Sequence, residues 1–125
     1  MGFDRILVVD DDEDIRMIAE MSLREVGGWQ VSVAESGTQA LALGQEQVPD
    51  VILLDFMMPG MSGKDTFLAF ASNPKLSGIP VIFLTARAQR SEVESLKQMG
   101  ARGVIPKPFD PMTLSDEVRR ILEPT

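Results

Sequence analysis

The chain has 125 residues, no cysteine and no histidine, with 44% hydrophobic and 25% charged residues, a composition suited to one globular domain with a buried core. Disorder, a disulfide scaffold and a zinc–cysteine scaffold are excluded. Twelve Lys plus Arg against nineteen Asp plus Glu leave a net charge of −7, which opposes binding to nucleic acid or anionic lipid and favours a cation or a basic partner.

The first apolar run, Ile6 to Val9, follows Asp4 and Arg5 and runs into acids, so it is a short strand and neither a signal-peptide core nor a membrane span. Met1-Gly2 fails as a myristoylation start because Ile6 stands where Ser or Thr is required. A cytoplasmic protein with no direct nucleic-acid or membrane contact is expected. Next comes a helix opened by Asp12 as N-cap, with Glu13 and Asp14 at the positive end of its dipole. Ile15, Ile18, Ala19 and Val26 form its apolar stripe, and Gly27-Gly28 ends it. From Trp29 to Ala34 the pattern alternates, Val31 and Val33 against Gln30 and Ser32, as in an edge strand. Ser36 with Gln39 then fits a capping box. Val51 to Leu54, Val81 to Leu84 and Gly103 to Ile105 are again short and mostly β-branched, like strands buried on both faces. Ser91 with Glu94 fits a second capping box, and Gly100 a helix stop. Asp110-Pro111 fits an N-cap and first helical position before a stripe of Leu114, Val118, Ile121 and Leu122. Strand then helix, five times over, predicts one α/β domain with a parallel sheet across residues 1–125. Its ligand site is expected at the carboxyl ends of the strands, where the winding reverses.

Strand one is followed by Asp10-Asp11-Asp12-Glu13-Asp14. A helix start explains the last three, but Asp10 and Asp11 precede the cap at the mouth of the sheet, where strand three delivers Asp55. Carboxylates within about 4 Å repel by roughly 4 kcal/mol at an effective dielectric near 20, so such a cluster calls for a cation or shared protons. Hard oxygen ligands without His or Cys suit Mg²⁺. Strand four ends in Thr85-Ala86, a hydroxyl beside a side chain small enough to leave room for a phosphoryl group. Strand five is followed by Lys107-Pro108, which brings an ammonium to the same mouth. A carboxylate nucleophile, two acids for a divalent cation, a hydroxyl and an ammonium are the parts phosphoryl transfer needs, with an aspartyl phosphate as product.

In that order, LVVDDDEDIR (Leu7 to Arg16), LLDFMMPGMSG (Leu53 to Gly63), FLTA (Phe83 to Ala86) and PKPF (Pro106 to Phe109) resemble the receiver domain of bacterial two-component response regulators across nearly the whole chain. The resemblance implies a flavodoxin-like (βα)5 doubly wound sheet of order 2-1-3-4-5 and a cis Lys107-Pro108 bond. It also implies that Asp55 is the phosphoacceptor and that Mg²⁺ is held by Asp10, Asp11, Asp55 and the backbone carbonyl of Met57. Thr85 would be the switch hydroxyl and Lys107 the phosphate-contacting lysine. The implied donor is a histidine kinase or histidine phosphotransfer protein. The implied behaviour is self-catalysed phosphorylation with slow autodephosphorylation rather than conventional enzymatic turnover, in a monomer or a weak phosphorylation-dependent dimer. One departure stands out: Val104 occupies the strand-five position where many members carry Tyr or Phe. With no ring to swing, the signal is expected to travel through strand four and its loop, or by repacking of helix four.

Other readings fit less well. A haloacid-dehalogenase phosphatase needs a second acid two residues after the nucleophile, where Met57 stands. Gly60 to Asp65 lacks the spacing of a phosphate-binding loop and the Ser or Thr after its Lys. In a flavodoxin the acids after strand one would repel the FMN phosphate. A receiver fold acting as a scaffold without phosphorylation is opposed by the complete set of acids, hydroxyl and lysine. Ending soon after helix five, the chain fits either a single-domain regulator or a piece of a larger regulator or hybrid kinase. On the outward side of helix one, Met17 and Met21 are adaptable apolar contacts, expected to dock the histidine-bearing helices of the phosphodonor.

Overall fold

The computed structural model describes residues 4–123; Met1 and Gly2, which bear on the myristoylation reading, lie outside them. The elements are β1 (Arg5–Val9), α1 (Glu13–Glu25), β2 (Gln30–Ala34), α2 (Gly37–Glu46), β3 (Val51–Asp55), α3 (Gly63–Ser72), β4 (Val81–Thr85), α4 (Arg90–Met99), β5 (Gly103–Pro106) and α5 (Leu114–Leu122). All strand pairs are parallel, in the order β2-β1-β3-β4-β5. This is the expected flavodoxin-like doubly wound sheet.

The period of two in the strands splits the core between the two faces. Ile6, Val8, Leu53 and Leu84 pack with Leu23 of α1 and Leu114 and Val118 of α5. Leu7, Val9, Leu54 and Phe83 face the other way, with Ala40 of α2, Phe67 and Phe70 of α3 and Leu96 of α4. Because β1, β3 and β4 are sandwiched by both layers, their apolar residues are buried at every position. β2 lies at one edge, as its alternation predicted, and β5 at the other, where Val104 is only half-buried.

Several helix details differ from expectation. In α1 the buried residues are Ala19, Ser22 and Leu23, while Ile18 and Val26 are 41% and 48% exposed. The buried stripe is rotated from the expected one and takes in Ser22, which donates its hydroxyl to the Pro111 carbonyl at the seam with α5. Helix α4 starts at Arg90 with Gln89 as N-cap and no side-chain capping bond. Glu94 instead pairs with Arg90 one turn back, at 3.5 Å, so Ser91–Glu94 is not a capping box. Asp110 opens a turn by accepting from the Met112 and Leu114 amides, at 2.8 Å on its side chain and 3.0 Å on its carbonyl; regular α5 begins only at Leu114, after Thr113. The other caps hold. Asp12 accepts from the Asp14 and Ile15 amides, and Ser36 Oγ accepts from the Gln39 amide while Gln39 reaches back to the Glu35 amide. Of the two glycines after α1, Gly28 takes the left-handed conformation, with φ 71°. Gly27 is small for another reason, since a Cβ there would stand 2.1 Å from Ser115 Oγ. Among the described residues no helix is long and apolar enough to cross a membrane.

Candidate functional site

The sheet order reverses direction between β1 and β3, so the loops after these strands diverge to opposite faces and leave a crevice at their carboxyl ends. Asp10 follows β1, Asp55 ends β3, Thr85 ends β4 and Lys107 follows β5. The Asp10, Asp55 and Lys107 side chains, separated by up to 97 positions in sequence, meet in the crevice, and Thr85 stands at the end of the strand beside Asp55. Asp10, Asp55 and Thr85 are buried, at 0%, 4% and 2% exposure, while Asp11 is exposed at the rim.

Asp10, Asp11 and Asp55 each offer a carboxylate oxygen, and the three oxygens lie within 4.8 Å of one another. Lys107 Nζ donates to Asp10 Oδ2 at 2.7 Å and lies 3.2 Å from Asp55 Oδ1. The Lys107-Pro108 peptide is cis, and the Lys107 amide donates to the Thr85 carbonyl at 2.9 Å, which anchors this lysine to the neighbouring strand end. The Asp55 carboxylate also accepts from the Met57 amide at 3.3 Å. Met57 therefore has its backbone against the cluster while its side chain is exposed. The loop carrying Met57 returns tightly under Asp55. The Gly63 amide donates to the Phe56 carbonyl, and a Cβ on Gly63 would stand 2.3 Å from the Asp55 carbonyl oxygen. Thr85 Oγ1 accepts from the Arg87 amide at 3.0 Å, which leaves its own proton free to donate.

Burial, followed by repulsion from Asp10, pushes the Asp55 carboxyl up from 3.8 to about 6, even though Lys107 and the Met57 amide pull it down. Burial works against the Lys107 ammonium, but its contacts with Asp10 and then Asp55 outweigh this and hold its pKa above the ordinary lysine value. One ammonium thus serves two buried carboxylates and leaves one of them strained as an anion. A small, hard cation relieves that strain. The donor set, three carboxylate oxygens with neither nitrogen nor sulfur, fits Mg²⁺ in kind and in spacing.

The structure brings Asp10, Asp11, Asp55 and Lys107 together by their side chains, Met57 by its amide, and Thr85 by its carbonyl, which accepts from the Lys107 amide. Met17 and Met21 lie on the exposed face of α1, at 53% and 57% exposure. With Ile18, Val26 and Met112, also exposed, they extend the apolar surface beyond the two methionines. A groove of about 290 Å³ lined by Ile18, Met21, Val26 and Met112 runs through it. Sequence reasoning missed Arg16, noted only as the end of the first motif. Its Nη1 donates to the Asp10 carbonyl at 2.8 Å and its Nη2 lies 3.9 Å from Glu35 Oε2.

Comparison with known proteins agrees with this geometry. The family model for the response regulator receiver domain matches residues 6–119. The chain is 34% identical over 119 residues to the chemotaxis protein CheY of Pseudomonas aeruginosa, covering 95% of this chain and 96% of that one. It is 40% identical over 115 residues to the DNA-binding response regulator MtrA of Mycobacterium tuberculosis, covering 92% of this chain but only 49% of MtrA. The solved chemotaxis response regulator CheY4 of Vibrio cholerae superposes with a TM-score of 0.87 at 32% identity, covering 96% of this chain and 99% of that structure. The order of the strands, the acids at their ends and these matches together make this chain a member of the response regulator receiver domain family, similar to CheY and acting in two-component signalling.

Proposed function

We propose that this receiver domain takes a phosphoryl group from a phosphohistidine onto Asp55 in the cytoplasm, in a step that depends on Mg²⁺. The observation that carries the proposal is the convergence of three carboxylate oxygens within 4.8 Å beside a lysine that touches two of them. An Asp55 oxygen attacks phosphorus, the new O–P bond forms as the P–N bond breaks, and the leaving imidazole keeps the electron pair and takes up a proton. With no histidine among these 125 residues, the phosphohistidine lies outside them, on a histidine kinase or histidine phosphotransfer protein.

The residues divide the work by position. Asp55 must be ionised to attack; burial and Asp10 oppose that charge, and Lys107 with a bound cation would favour it. Lys107, 3.2 Å from Asp55, compensates charge as it moves from the carboxylate to the phosphoryl oxygens. Thr85 has a free hydroxyl proton for another of those oxygens. Asp10, Asp11 and Asp55, with the Met57 backbone carbonyl as a further oxygen, would hold Mg²⁺. The ion supplies positive charge that cancels the repulsion among the carboxylates and stabilises the transferring group. The chain thus catalyses its own phosphorylation and a slow return to the free carboxylate, without serving as a turnover enzyme.

Docking of the donor is assigned to Met17 and Met21, on the helix that starts at the site's rim. The output route is assigned to helix α4. Val104 offers no ring, and a hollow of about 190 Å³ lies between Phe56, Thr85 and Ser91, Ser95 and Leu96, giving Thr85 and the helix room to shift. The test is incubation with acetyl phosphate, with and without Mg²⁺, read by intact mass on the unaltered protein and Asp55→Asn. A single Mg²⁺-dependent phosphoryl adduct, absent from the variant, is expected; full labelling of the variant would move the acceptor elsewhere.

A further inference from the structure

Asp10 is completely buried, and each of its polar atoms has a partner. Its amide donates to the Ala34 carbonyl at 3.1 Å. Its carboxylate accepts from the Asp12 amide at 2.9 Å and from Lys107 at 2.7 Å. Its carbonyl accepts from Arg16 Nη1 at 2.8 Å. The last contact differs in kind from the others, because the Asp10 carbonyl belongs to the peptide unit that joins Asp10 to Asp11. That unit is planar, so fixing its oxygen fixes the direction in which the chain leaves Asp10 and hence where the Asp11 Cα stands. Asp10 itself is held by its other three bonds. Asp11, exposed at the rim, depends on the orientation of this plane to bring its carboxylate to the other two. The Arg16 side chain is mostly buried, at 17% exposure, and its second nitrogen lies 3.9 Å from Glu35, which follows β2. The guanidinium therefore spans the loops after β1 and β2 with its rigid fork.

We propose that Arg16 is a positioning residue for the cation site, acting through the Asp10–Asp11 peptide to aim the Asp11 carboxylate. The proposal rests on the metal role assigned to Asp10, Asp11 and Asp55. Its charge alone would have the opposite effect: a guanidinium this close repels a divalent cation, so removing it should tighten binding unless the hydrogen bond matters more. Groups behind metal ligands commonly alter affinity by roughly 10- to 100-fold, and the lower end is expected here, where the two effects oppose.

The experiment is calorimetric titration of Mg²⁺ into the intact chain without phosphodonor, on the unaltered protein, Arg16→Met, Asp11→Asn and the double variant. Arg16→Met should raise the Mg²⁺ dissociation constant about 10-fold in the unaltered background and less than 2-fold in the Asp11→Asn background, because the residue it positions is then gone. Arg16→Lys retains the charge and a hydrogen-bond donor but not the rigid fork; it should recover part of the loss and provides the comparison if Arg16→Met folds poorly. Tighter or unchanged binding in Arg16→Met, or an equal loss in both backgrounds, overturns the proposal. If the unaltered protein binds no Mg²⁺, the proposed function fails with it, an outcome distinct from a loss of the Arg16 effect alone.

Discussion

Replacing Asp55 with Asn should stabilise the metal-free protein, even though it destroys the phosphoacceptor. The carboxyl is held at about 6 against 3.8 for the free group. Below pH 3.8 it is neutral whether the chain is folded or not, and costs nothing. Between pH 3.8 and 6 the unfolded chain loses the proton first, so rising pH favours unfolding; above 6 both states are ionised and the penalty is constant. At about 1.4 kcal/mol per pH unit, a shift from 3.8 to about 6 amounts to roughly 3 kcal/mol. Asn keeps the size of the neutral acid without the charge, so Asp55→Asn should gain roughly 2 to 3 kcal/mol at pH 8 in chelator. In a chain of this size this corresponds to a Tm higher by roughly 6 to 10 °C. Thermal and urea unfolding of both proteins at pH 8 and pH 4, in EDTA, provides the assay. The gain should shrink towards zero at pH 4 and shrink again at pH 8 when Mg²⁺ is added to the unaltered protein. A variant no more stable at pH 8, or equally favoured at both pH values, would refute the reasoning.

Lys107→Ala leaves Asp10 and Asp55 buried without their ammonium. It should destabilise the fold by about 3 kcal/mol at pH 8 and carry the Asp55 pKa above 6, read by carbon-detected NMR titration in chelator. Gly63→Ala drives a methyl group into the Asp55 carbonyl; urea unfolding should show a loss of about 1 to 3 kcal/mol, with weakened labelling by acetyl phosphate. Met17→Lys with Met21→Lys should lower phosphotransfer from the cognate phosphohistidine protein at least 10-fold at subsaturating receiver while labelling by acetyl phosphate stays unchanged. Equal loss with both donors would remove the docking role.

The sheet and the site were legible in the sequence for the same reason. A strand buried on both faces is a short apolar run, and the residues just after such a run lie at the carboxyl end of the sheet, so Asp10, Asp55, Thr85 and Lys107 were placed by their neighbours. The resemblance then supplied the strand order, the cis peptide and the roles. The errors lie where tertiary contacts override local pattern. The stripe expected through Ile18 and Val26 gives way to one that includes Ser22, whose hydroxyl the Pro111 carbonyl receives, and Glu94 turns to Arg90 instead of capping a helix. Arg16 escaped notice because its contact is with a backbone carbonyl, which no side-chain motif encodes. Gly103 to Ile105 read as buried on both faces because the run is apolar, but β5 is an edge strand and Val104 is only half-buried.

The identity of the phosphorylated residue is the most direct test. After labelling with acetyl phosphate and Mg²⁺, borohydride converts an aspartyl phosphate to homoserine, which peptide mass spectrometry locates. The account predicts homoserine at position 55 alone, and only in samples labelled with Mg²⁺ present. Homoserine at position 10 or 11, or a phosphoryl group that survives borohydride on a serine or threonine, would contradict it.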